Sequence, residues 1–393
     1  MDQNNFSTQA PLSGMRVIEF CNVAAGPFCG MLLADMGAEV IKIEPPSGDT
    51  LRQWPPFSDG FSENFASLNR NKRSIALDLK QANDNALARR LIESADIVIE
   101  NNRPGAMARL GLGYDSFAGG FPNLIYCSMS AFGQEGPRAA EGGFDLTVQA
   151  LSGIMSVTGE PDGDPVKCGV PISDFATGLY GAFAIAALAA RVRAGGKGGY
   201  IDISMLGASL AVGALQTSEY FGSGRDPRRL GDAHPRNAPY QAFKASDGDF
   251  VMAAGNDRLW RAVCETIRHP ELAEDPRFLS TTDRAANQHE LEEILNSIFQ
   301  ASTVDDLLTR FQRAGVPCGR INRYSEALAD PQVEQMGWVR EIELPTGRVT
   351  RTFASPLRID GKPLPIYRAP PALGADRESI LSSLSTQEMQ RRT

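Results

Sequence analysis

Met15-Arg-Val-Ile-Glu-Phe-Cys21 is a mostly apolar run that predicts a buried first strand. Gly26-Pro27 predicts the start of a helix, because proline is well placed at the first helical position, and Gly37 predicts its end. Ala38-Glu-Val-Ile-Lys-Ile-Glu44 predicts the next strand. Residues 15–44 thus form a β-α-β unit, which predicts a parallel, doubly wound α/β sheet.

Beyond this unit, further strands are predicted at residues 74–80, 96–100, 124–128 and 200–204. Around residues 222–236 the composition turns polar and rich in glycine, arginine and proline, which predicts a linker. We therefore predict three segments. Residues 1–222 form a large domain, residues 223–330 form a smaller α+β domain with its linker, and residues 331–393 return to the large domain.

The bulk composition excludes several classes of protein. The chain has 393 residues and a net charge of −8 without a basic block, so nucleic acid and anionic membranes are not expected partners. The first residues carry no export signal, and no uninterrupted apolar run is expected to span a membrane. The six cysteines are scattered without a C-x-x-C pair, which predicts reduced thiols in a cytoplasmic protein.

Common cofactor and metal motifs are missing. The turn after the first strand lacks the second and third glycines of G-x-G-x-x-G, which disfavours a nicotinamide or flavin. The three histidines (His234, His269 and His289) have no partner at metal-ligand spacing, so no metal site is predicted. Without a G-x-S-x-G or Walker motif, carboxylates remain the best reactive groups.

One carboxylate stands out in Gly169-Val-Pro-Ile-Ser-Asp-Phe-Ala-Thr-Gly178. Residues 179–192 are apolar on nearly every side, which predicts a buried helix ended by Gly195-Gly196. Asp174 is expected in the turn before this helix, where the helix dipole favours its ionised form. The local pattern leaves two interpretations open: a helix cap, or a covalent nucleophile toward an activated acyl group.

Two basic clusters lie next to predicted strands, the first just before residues 74–80 and the second just after residues 96–100. The first is Asn69-Arg-Asn-Lys-Arg73, either a solvated charged turn or a phosphate site. The second joins Asn101-Asn-Arg-Pro-Gly105 to Arg109, in a loop beyond a strand end. Open α/β sheets bind ligands at such loops, so the second cluster is also a candidate phosphate site.

A series of motifs, in the same order, resembles the class III CoA-transferases (the CaiB/BaiF type) over residues 11–384. The motifs are Pro11-Leu-Ser-Gly14, Ala25-Gly-Pro27, residues 33–45, Gly48-Asp49, residues 71–80, Glu100-Asn-Asn-Arg-Pro-Gly105, Arg109-Leu-Gly111, Gly133-Gln-Glu-Gly-Pro137, residues 169–178 and Ala369-Pro-Pro-Ala-Leu-Gly374. The resemblance implies a Rossmann-like large domain built from both chain ends, a small domain between them, and an interlocked homodimer. It also implies that a CoA thioester and a small carboxylic acid are the substrates.

The resemblance gives Asp174 the role of nucleophile. Its carboxylate would attack the donor acyl-CoA, giving a mixed anhydride and CoA thiolate, and the thiolate would then form an aspartyl-CoA thioester. The acceptor carboxylate would reverse these steps. No metal or prosthetic group is expected.

The resemblance also implies a CoA site. Its residues would be Ala24, Ala25, Leu77, Asp78, Leu79, Lys80, Asn101, Asn102, Arg103 and Arg109. For a single member such as Leu79, core packing is the alternative. Some family members hold CoA with an arginine after the second strand, and this chain has Pro45 there instead.

A sister group, the α-methylacyl-CoA racemases, uses the histidine of an Ala-Gly-His-Asp motif as its second base. This chain reads Gly142-Gly-Phe-Asp145, and phenylalanine cannot carry a proton, so transfer is favoured over racemisation. Two alternatives stay open. One is an isomerase, either a racemase or an intramolecular CoA mover such as a mesaconyl-CoA C1–C4 transferase. The other is a non-catalytic protein that binds CoA or a nucleotide.

The small domain bears on the acceptor. Formyl-CoA:oxalate transferases carry a run of glycines there, and this chain reads His234-Pro-Arg-Asn-Ala-Pro-Tyr240, which disfavours oxalate. We hypothesise that Arg236 or His234 binds a second carboxylate of a C4–C6 dicarboxylic acid, with succinyl-CoA as a candidate donor. A solvated linker is the alternative for both residues.

Overall fold

The strands and helices alternate along much of the chain. The computed structural model describes residues 10–392, with side chains up to residue 386. The strands, in chain order, are β1 (Arg16–Phe20), β2 (Glu39–Glu44), β3 (Phe57–Ser58), β4 (Phe61–Ser62), β5 (Lys72–Ala76), β6 (Ile97–Glu100), β7 (Ile125–Ser130), β8 (Gly199–Ser204), β9 (Tyr240–Ala245), β10 (Gly248–Ala253), β11 (Cys318–Arg320), β12 (Val339–Glu343), β13 (Val349–Phe353), β14 (Arg358–Ile359) and β15 (Lys362–Pro363).

The helices connect these strands and cover the sheets. In chain order they are α1 (Ala25–Asp35), α2 (Glu63–Asn69), α3 (Ala82–Glu93), α4 (Ala106–Arg109), α5 (Asp145–Leu151), α6 (Ile172–Arg193), α7 (Met205–Val212), α8 (Ala214–Ser223), α9 (Asp257–Thr266), α10 (Thr281–Ala286), α11 (Gln288–Phe299), α12 (Val304–Arg313), α13 (Tyr324–Ala327), α14 (Pro331–Met336) and α15 (Arg377–Arg392). Short 3₁₀ turns lie at Thr50–Gln53, Tyr114–Ser116, Met155–Val157 and Pro270–Ala273.

Six parallel strands form the central sheet in the order β5-β2-β1-β6-β7-β8. This is the 3-2-1-4-5-6 order of doubly wound folds. The order in which successive strands are added to the sheet reverses between β1 and β6. The predicted α/β class is therefore confirmed. Ligands of such sheets bind outside the carboxyl ends of the strands at this reversal.

Alternate strand residues face opposite sides of the sheet, and both sides are covered. Val17 packs with Cys29 of α1 and Ile185 of α6, whereas its neighbour Ile18 packs with Leu91 of α3. The C-terminal helix α15 contributes Ile380 and Leu384 to the second of these clusters. Burial on both faces explains why apolar residues stand next to one another in the central strands, as in Val17-Ile18 and Val40-Ile41.

The chain divides into two compact units. One contains residues up to Ile154, Lys167–Gly224 and the chain from Gln332 onwards; the other contains Met155–Val166 and Arg225–Pro331. The second unit has an antiparallel sheet, β11-β10-β9, over a core that includes Phe250, Phe299 and Phe311. Met155–Val166 packs with this unit, although the sequence pattern placed it in the large domain.

Helix α6 is only partly buried, which corrects the expectation of a buried helix. Leu179 and Phe183 are 54% and 73% exposed, while Ile185 and Ala189 are buried. The helix has 22 residues with a mean hydropathy of 1.5 in its most apolar window, so by length and composition alone it could cross a membrane. The uninterrupted apolar run within it is shorter than the helix, because Asp174 lies in the first turn and Arg191 and Arg193 lie in the last. Core helices of globular proteins meet the same criterion.

Candidate active site

Asp174 is the third residue of α6, not the residue that caps it. The N-cap is Pro171, and no side chain accepts a capping hydrogen bond there. The capping interpretation is therefore wrong for Asp174. Its carboxyl group lies in the first turn of the helix, at the end where α6 approaches α1.

The surroundings of Asp174 disfavour its charge. Burial, followed by the negative charge of Asp145, raises the pKa of Asp174 to about 7. The helix start was expected to favour the ionised form, but burial and a neighbouring carboxylate outweigh the dipole here. Asp174 is consequently divided between its two protonation states near neutral pH.

Asp145 reaches Asp174 from the start of α5. Its Oδ1 accepts a hydrogen bond from the backbone N–H of Ser173 (3.0 Å), and its Oδ2 accepts one from Nε2 of Gln149 (2.6 Å). Gln149 is fully buried and its Oε1 accepts the N–H of Cys168 (2.8 Å). These bonds fix the two carboxylates relative to each other.

The first turn of α1 packs against the first turns of α6. A Cβ added at Gly178 would meet the carbonyl oxygen of Ala25 at 2.7 Å, so glycine permits this approach. The rings of Phe28 and Phe175 are in edge contact at 4.8 Å between centroids. Ala25, and Ala24 before it, therefore lie beside the segment that carries Asp174.

A cavity of about 250 Å³ lies at the carboxyl ends of β1, β2, β5 and β6. This is the position that the strand order predicts for a ligand. Half of the residues proposed for CoA line it. The lining residues are Phe20, Asn22, Ile43, Glu44, Pro45, Leu77, Asp78, Leu79, Lys80, Asn102, Ala106, Met107 and Leu110.

The two asparagines after β6 hold the loop after β1. Asn101 pairs with the backbone of Asn22 through both its side-chain atoms, at 2.9 and 2.8 Å. Nδ2 of Asn102 donates to the carbonyl of Phe20 (3.0 Å). Asn101 does not line the cavity, so its side chain shapes the neighbouring loop.

Arg103 and Arg109 are exposed, and within the described part of the chain neither side chain has an ion-pair or hydrogen-bond partner. Arg103 lies against Gly142, where an added Cβ would be 3.3 Å from its guanidinium. Neither arginine lines the cavity. Both are available for an anionic ligand.

The first basic cluster is not a phosphate site. Arg70 pairs with Asp35 (2.6 Å) and Lys72 pairs with Glu19 (2.9 Å), and all four side chains are buried. Arg73 is paired with Glu39. The phosphate interpretation of residues 69–73 is therefore wrong, because internal carboxylates already neutralise each cation.

The hydrogen bonds of His234 favour its neutral form. Its Nδ1 accepts the backbone N–H groups of Arg236 and Asn237, both at 3.1 Å. Burial and the charge of Arg236 lower the pKa of His234. His234 is therefore a poor candidate for binding a second carboxylate as a cation, because protonation at Nδ1 would break both of these hydrogen bonds.

Sequence reasoning missed Asp145, Asn22, Met107 of α4 and Leu110, which follows that helix. Asp145 follows Phe144, and the sequence analysis considered that motif only because racemases have a histidine at the position of Phe144. Asp145 and Asp174 lie in different helices far apart in the chain, so no helical or strand periodicity relates them and only the tertiary structure brings them together. In the described residues no cluster of three or more His, Cys, Asp or Glu side chains could hold a metal ion.

Comparisons with known proteins identify the family of the chain. The family model described as CoA-transferase family III matches residues 12–377. The succinate–glutarate CoA-transferase of Agrobacterium fabrum is 42% identical over 386 residues, 96% of each protein. The acetyl-CoA:oxalate CoA-transferase of Acetobacter aceti is 40% identical over 356 residues, 90% of each.

A solved structure shares the fold. The CAIB/BAIF family protein from Brucella suis superimposes with a TM-score of 0.84 at 38% identity, over 95% of this chain and 99% of that one. The family match spans nearly the whole chain, including the cavity and Asp174. The chain therefore belongs to CoA-transferase family III and is a CoA-transferase, an enzyme that uses CoA thioesters as substrates.

Proposed function

We propose that the protein moves CoA from an acyl-CoA donor to a dicarboxylic acid through covalent intermediates on Asp174. The observation that carries this proposal is a partly buried carboxylate whose charge is disfavoured. Among the described residues no cation pairs with Asp174, and the charge that shifts its pKa is the negative charge of Asp145. A purely structural carboxylate at this depth would normally have a cation or several N–H donors.

The steps balance without another reactant. Ionised Asp174 attacks the thioester carbonyl, the C–S bond breaks, and CoA leaves as the thiolate while a mixed anhydride forms. The thiolate then attacks the aspartyl carbonyl, releasing the donor carboxylate and leaving an aspartyl-CoA thioester. The acceptor carboxylate attacks this thioester, the C–S bond breaks, and CoA leaves again as the thiolate while a second mixed anhydride forms. The returning thiolate attacks the acceptor's acyl carbonyl and frees Asp174.

The electrostatics favour this chemistry. Burial and Asp145 raise the free energy of the ionised carboxylate. Acylation removes its charge, so the same surroundings favour the anhydride over the free enzyme. Desolvation also makes a carboxylate a stronger nucleophile, at the expense of a smaller ionised fraction at neutral pH.

The CoA site that we propose combines the cavity with the two free arginines. Leu77 and Leu79 supply apolar contacts within the cavity, and the loop formed by Ala24 and Ala25 leads from its edge toward Asp174. Arg103 and Arg109 would bind phosphate oxygens, for which a guanidinium fork is well suited. The remaining contacts proposed are Asp78, Lys80, Asn101 and Asn102.

The acceptor that we propose is a dicarboxylic acid of four to six carbons. The name of the Agrobacterium relative includes succinate and glutarate, which supports this class. The name of the Acetobacter relative includes oxalate, so oxalate is included among the acceptors to be tested. Transfer from succinyl-CoA to oxalate, malonate, glutarate and adipate separates these possibilities. We expect glutarate to be the best of the four acceptors.

The covalent role of Asp174 can be tested by trapping. During turnover with succinyl-CoA, hydroxylamine or borohydride should inactivate the enzyme and modify the peptide that contains Asp174. Asp174→Ala should abolish both transfer and modification, whereas Asp115→Ala, at an exposed site, should change neither. Undiminished transfer by Asp174→Ala would overturn the proposal.

A second candidate, an isomerase, is supported by the same pKa. A carboxyl group that titrates near 7 suits proton transfer. Racemisation needs a second base, and Phe144, 79% exposed, stands where racemases have histidine. We therefore expect no deuterium uptake at the α-carbon of a 2-methylacyl-CoA in heavy water. An intramolecular CoA mover would act without any added acid.

The homodimer remains part of the proposal. Apolar side chains on three neighbouring helices are exposed in the single chain, among them Phe183 (73%), Leu215 (63%) and Phe221 (81%). A surface of this kind normally contacts another protein. Light scattering on the purified enzyme should give the mass of two chains. All six cysteines are unpaired, which fits the proposed cytoplasmic location.

A further inference from the structure

The loop between β1 and α1 contains a strained residue. Val23 has a φ of +64°, in the left-handed region that β-branched residues rarely adopt. Such a conformation persists only where the surroundings enforce it, and it is common at ligand-binding sites. The next two residues are Ala24 and Ala25, the proposed CoA contacts at the start of α1.

Asp49 is the group that fixes Val23. Its Oδ1 accepts the N–H of Val23 (3.1 Å) and that of Leu51 (2.9 Å). Its own N–H donates to Glu44 Oε2 (3.0 Å). Asp49 is fully buried, so these bonds are not shared with solvent. A relaxed φ at Val23 would turn its N–H away and leave a buried oxygen with one partner fewer.

Lys42 holds Asp49 in place. Its Nζ lies 2.9 Å from Asp49 Oδ2 and donates to Glu19 (2.9 Å) and to the carbonyl of Cys21 (2.6 Å). Burial works against the charge of Lys42, but Glu19 and Asp49 outweigh it and raise the pKa of Lys42 above its ordinary value. The lysine therefore stays charged and links β1, β2 and the loop after β2.

We propose that Asp49, supported by Lys42, is a positioning residue that keeps Val23 left-handed and so sets Ala24 and Ala25 for CoA. This inference rests on the proposed function, in which those two residues contact CoA. Helix α1 has no side-chain cap, so its direction of entry depends on this loop. Since Ala25 contacts Gly178, a displaced loop would also disturb the turn that carries Asp174.

A double-mutant cycle separates positioning from stability. Binding of CoA is measured by calorimetry in the Asp174→Ala background, where no chemistry occurs. Asp49→Ala should weaken binding about tenfold or more, the effect of losing a buried charged hydrogen bond. Val23→Gly alone should change it little. Added to Asp49→Ala, Val23→Gly should restore most of the affinity, because glycine adopts positive φ without strain.

A matched control tests whether relief of strain elsewhere has the same effect. Arg268 also has a positive φ, of 63°, but lies in the other compact unit. Arg268→Gly should not restore CoA binding to Asp49→Ala. If the double variant binds CoA no better than Asp49→Ala alone, Asp49 is merely structural and the inference is overturned.

The outcomes also separate this inference from the proposed function. If the Asp174→Ala parent binds no CoA, the proposed CoA site is wrong, and the positioning role falls with it. If the parent binds CoA but the cycle shows no coupling, only the positioning role is wrong. Should Asp49→Ala fail to fold, the cycle is repeated with Asp49→Leu, which keeps a side chain of similar size but has no acceptor for the Val23 N–H. Restoration by Val23→Gly is expected there too, and its absence would overturn the inference.

Discussion

Two stretches with similar basic composition have opposite positions in the molecule. In residues 69–73, Arg70 and Lys72 are buried and paired with Asp35 and Glu19. In residues 101–109, Arg103 and Arg109 are exposed without partners among the described side chains. The sequence alone gave both clusters the same phosphate interpretation.

The difference teaches that the partner, not local charge density, decides what a basic cluster does. Glu19 and Asp35 come from β1 and α1, far from residues 69–73 in the chain but next to them in the fold. A buried cation without such partners would be too costly to keep. Within residues 10–386, no carboxylate pairs with the arginines after β6, so they remain available to a ligand. Asp174 is the acidic counterpart, a partly buried carboxylate that pairs with no cation in the same part of the chain.

The largest effect is expected where a buried pair is broken. Lys72→Met leaves Glu19 with only Lys42 and should lower the free energy of unfolding by about 3–5 kcal/mol. Lys80→Met, at an exposed lysine, should change it by less than about 0.5 kcal/mol. Denaturant unfolding measures both. Equal losses for the two variants would remove the contrast between buried and exposed cations.

Next in size is the loss of an exposed arginine, which should change binding and not stability. Arg103→Ala or Arg109→Ala should raise KM for succinyl-CoA about 10- to 100-fold, the loss of a charge-assisted hydrogen bond. Arg313→Ala, at an exposed arginine of the other unit, is the control and should leave KM unchanged. Unaltered KM in both test variants would exclude these arginines from the CoA site.

When Asp174 is ionised, its carboxylate should destabilise the folded enzyme. The pKa of Asp174 is raised to about 7, so the folded state favours the protonated form. The free energy of unfolding therefore falls as the pH rises toward 7, because the folded state must then bury the ionised form. Asp174→Asn should therefore raise the free energy of unfolding at pH 8 by roughly 1–3 kcal/mol. The gain should nearly vanish at pH 4. A loss of stability at pH 8 would contradict this sign.

The smallest effect should come from Asp145. Removing its charge with Asp145→Asn should lower the pKa of Asp174 by about one unit or less, because burial remains the larger cause. If ionised Asp174 is the nucleophile, the acidic limb of kcat/KM should move to lower pH by the same amount. Asp202→Asn, on β8, serves as a comparison and should leave that limb in place.

The strands and the fold class could be predicted because they depend on local apolar runs. The sheet register could not, and neither could the start of β5. The sequence placed that strand at residues 74–80, since Lys72 and Arg73 read as a charged turn. Glu19 and Glu39 neutralise them, so β5 begins at Lys72. Leu77 to Lys80 then form the loop after the strand, which lines the cavity.

By itself the sequence determined the doubly wound sheet, Asp174 as the candidate reactive group, and the loops that meet at the reversal of strand order. Hydrophobic period and family motifs are properties of the chain in order. Only the tertiary structure decided that residues 69–73 are internal, that Asp145 faces Asp174, and that Asp49 fixes Val23. Each of these depends on burial and on charges from distant segments, which a linear pattern does not contain.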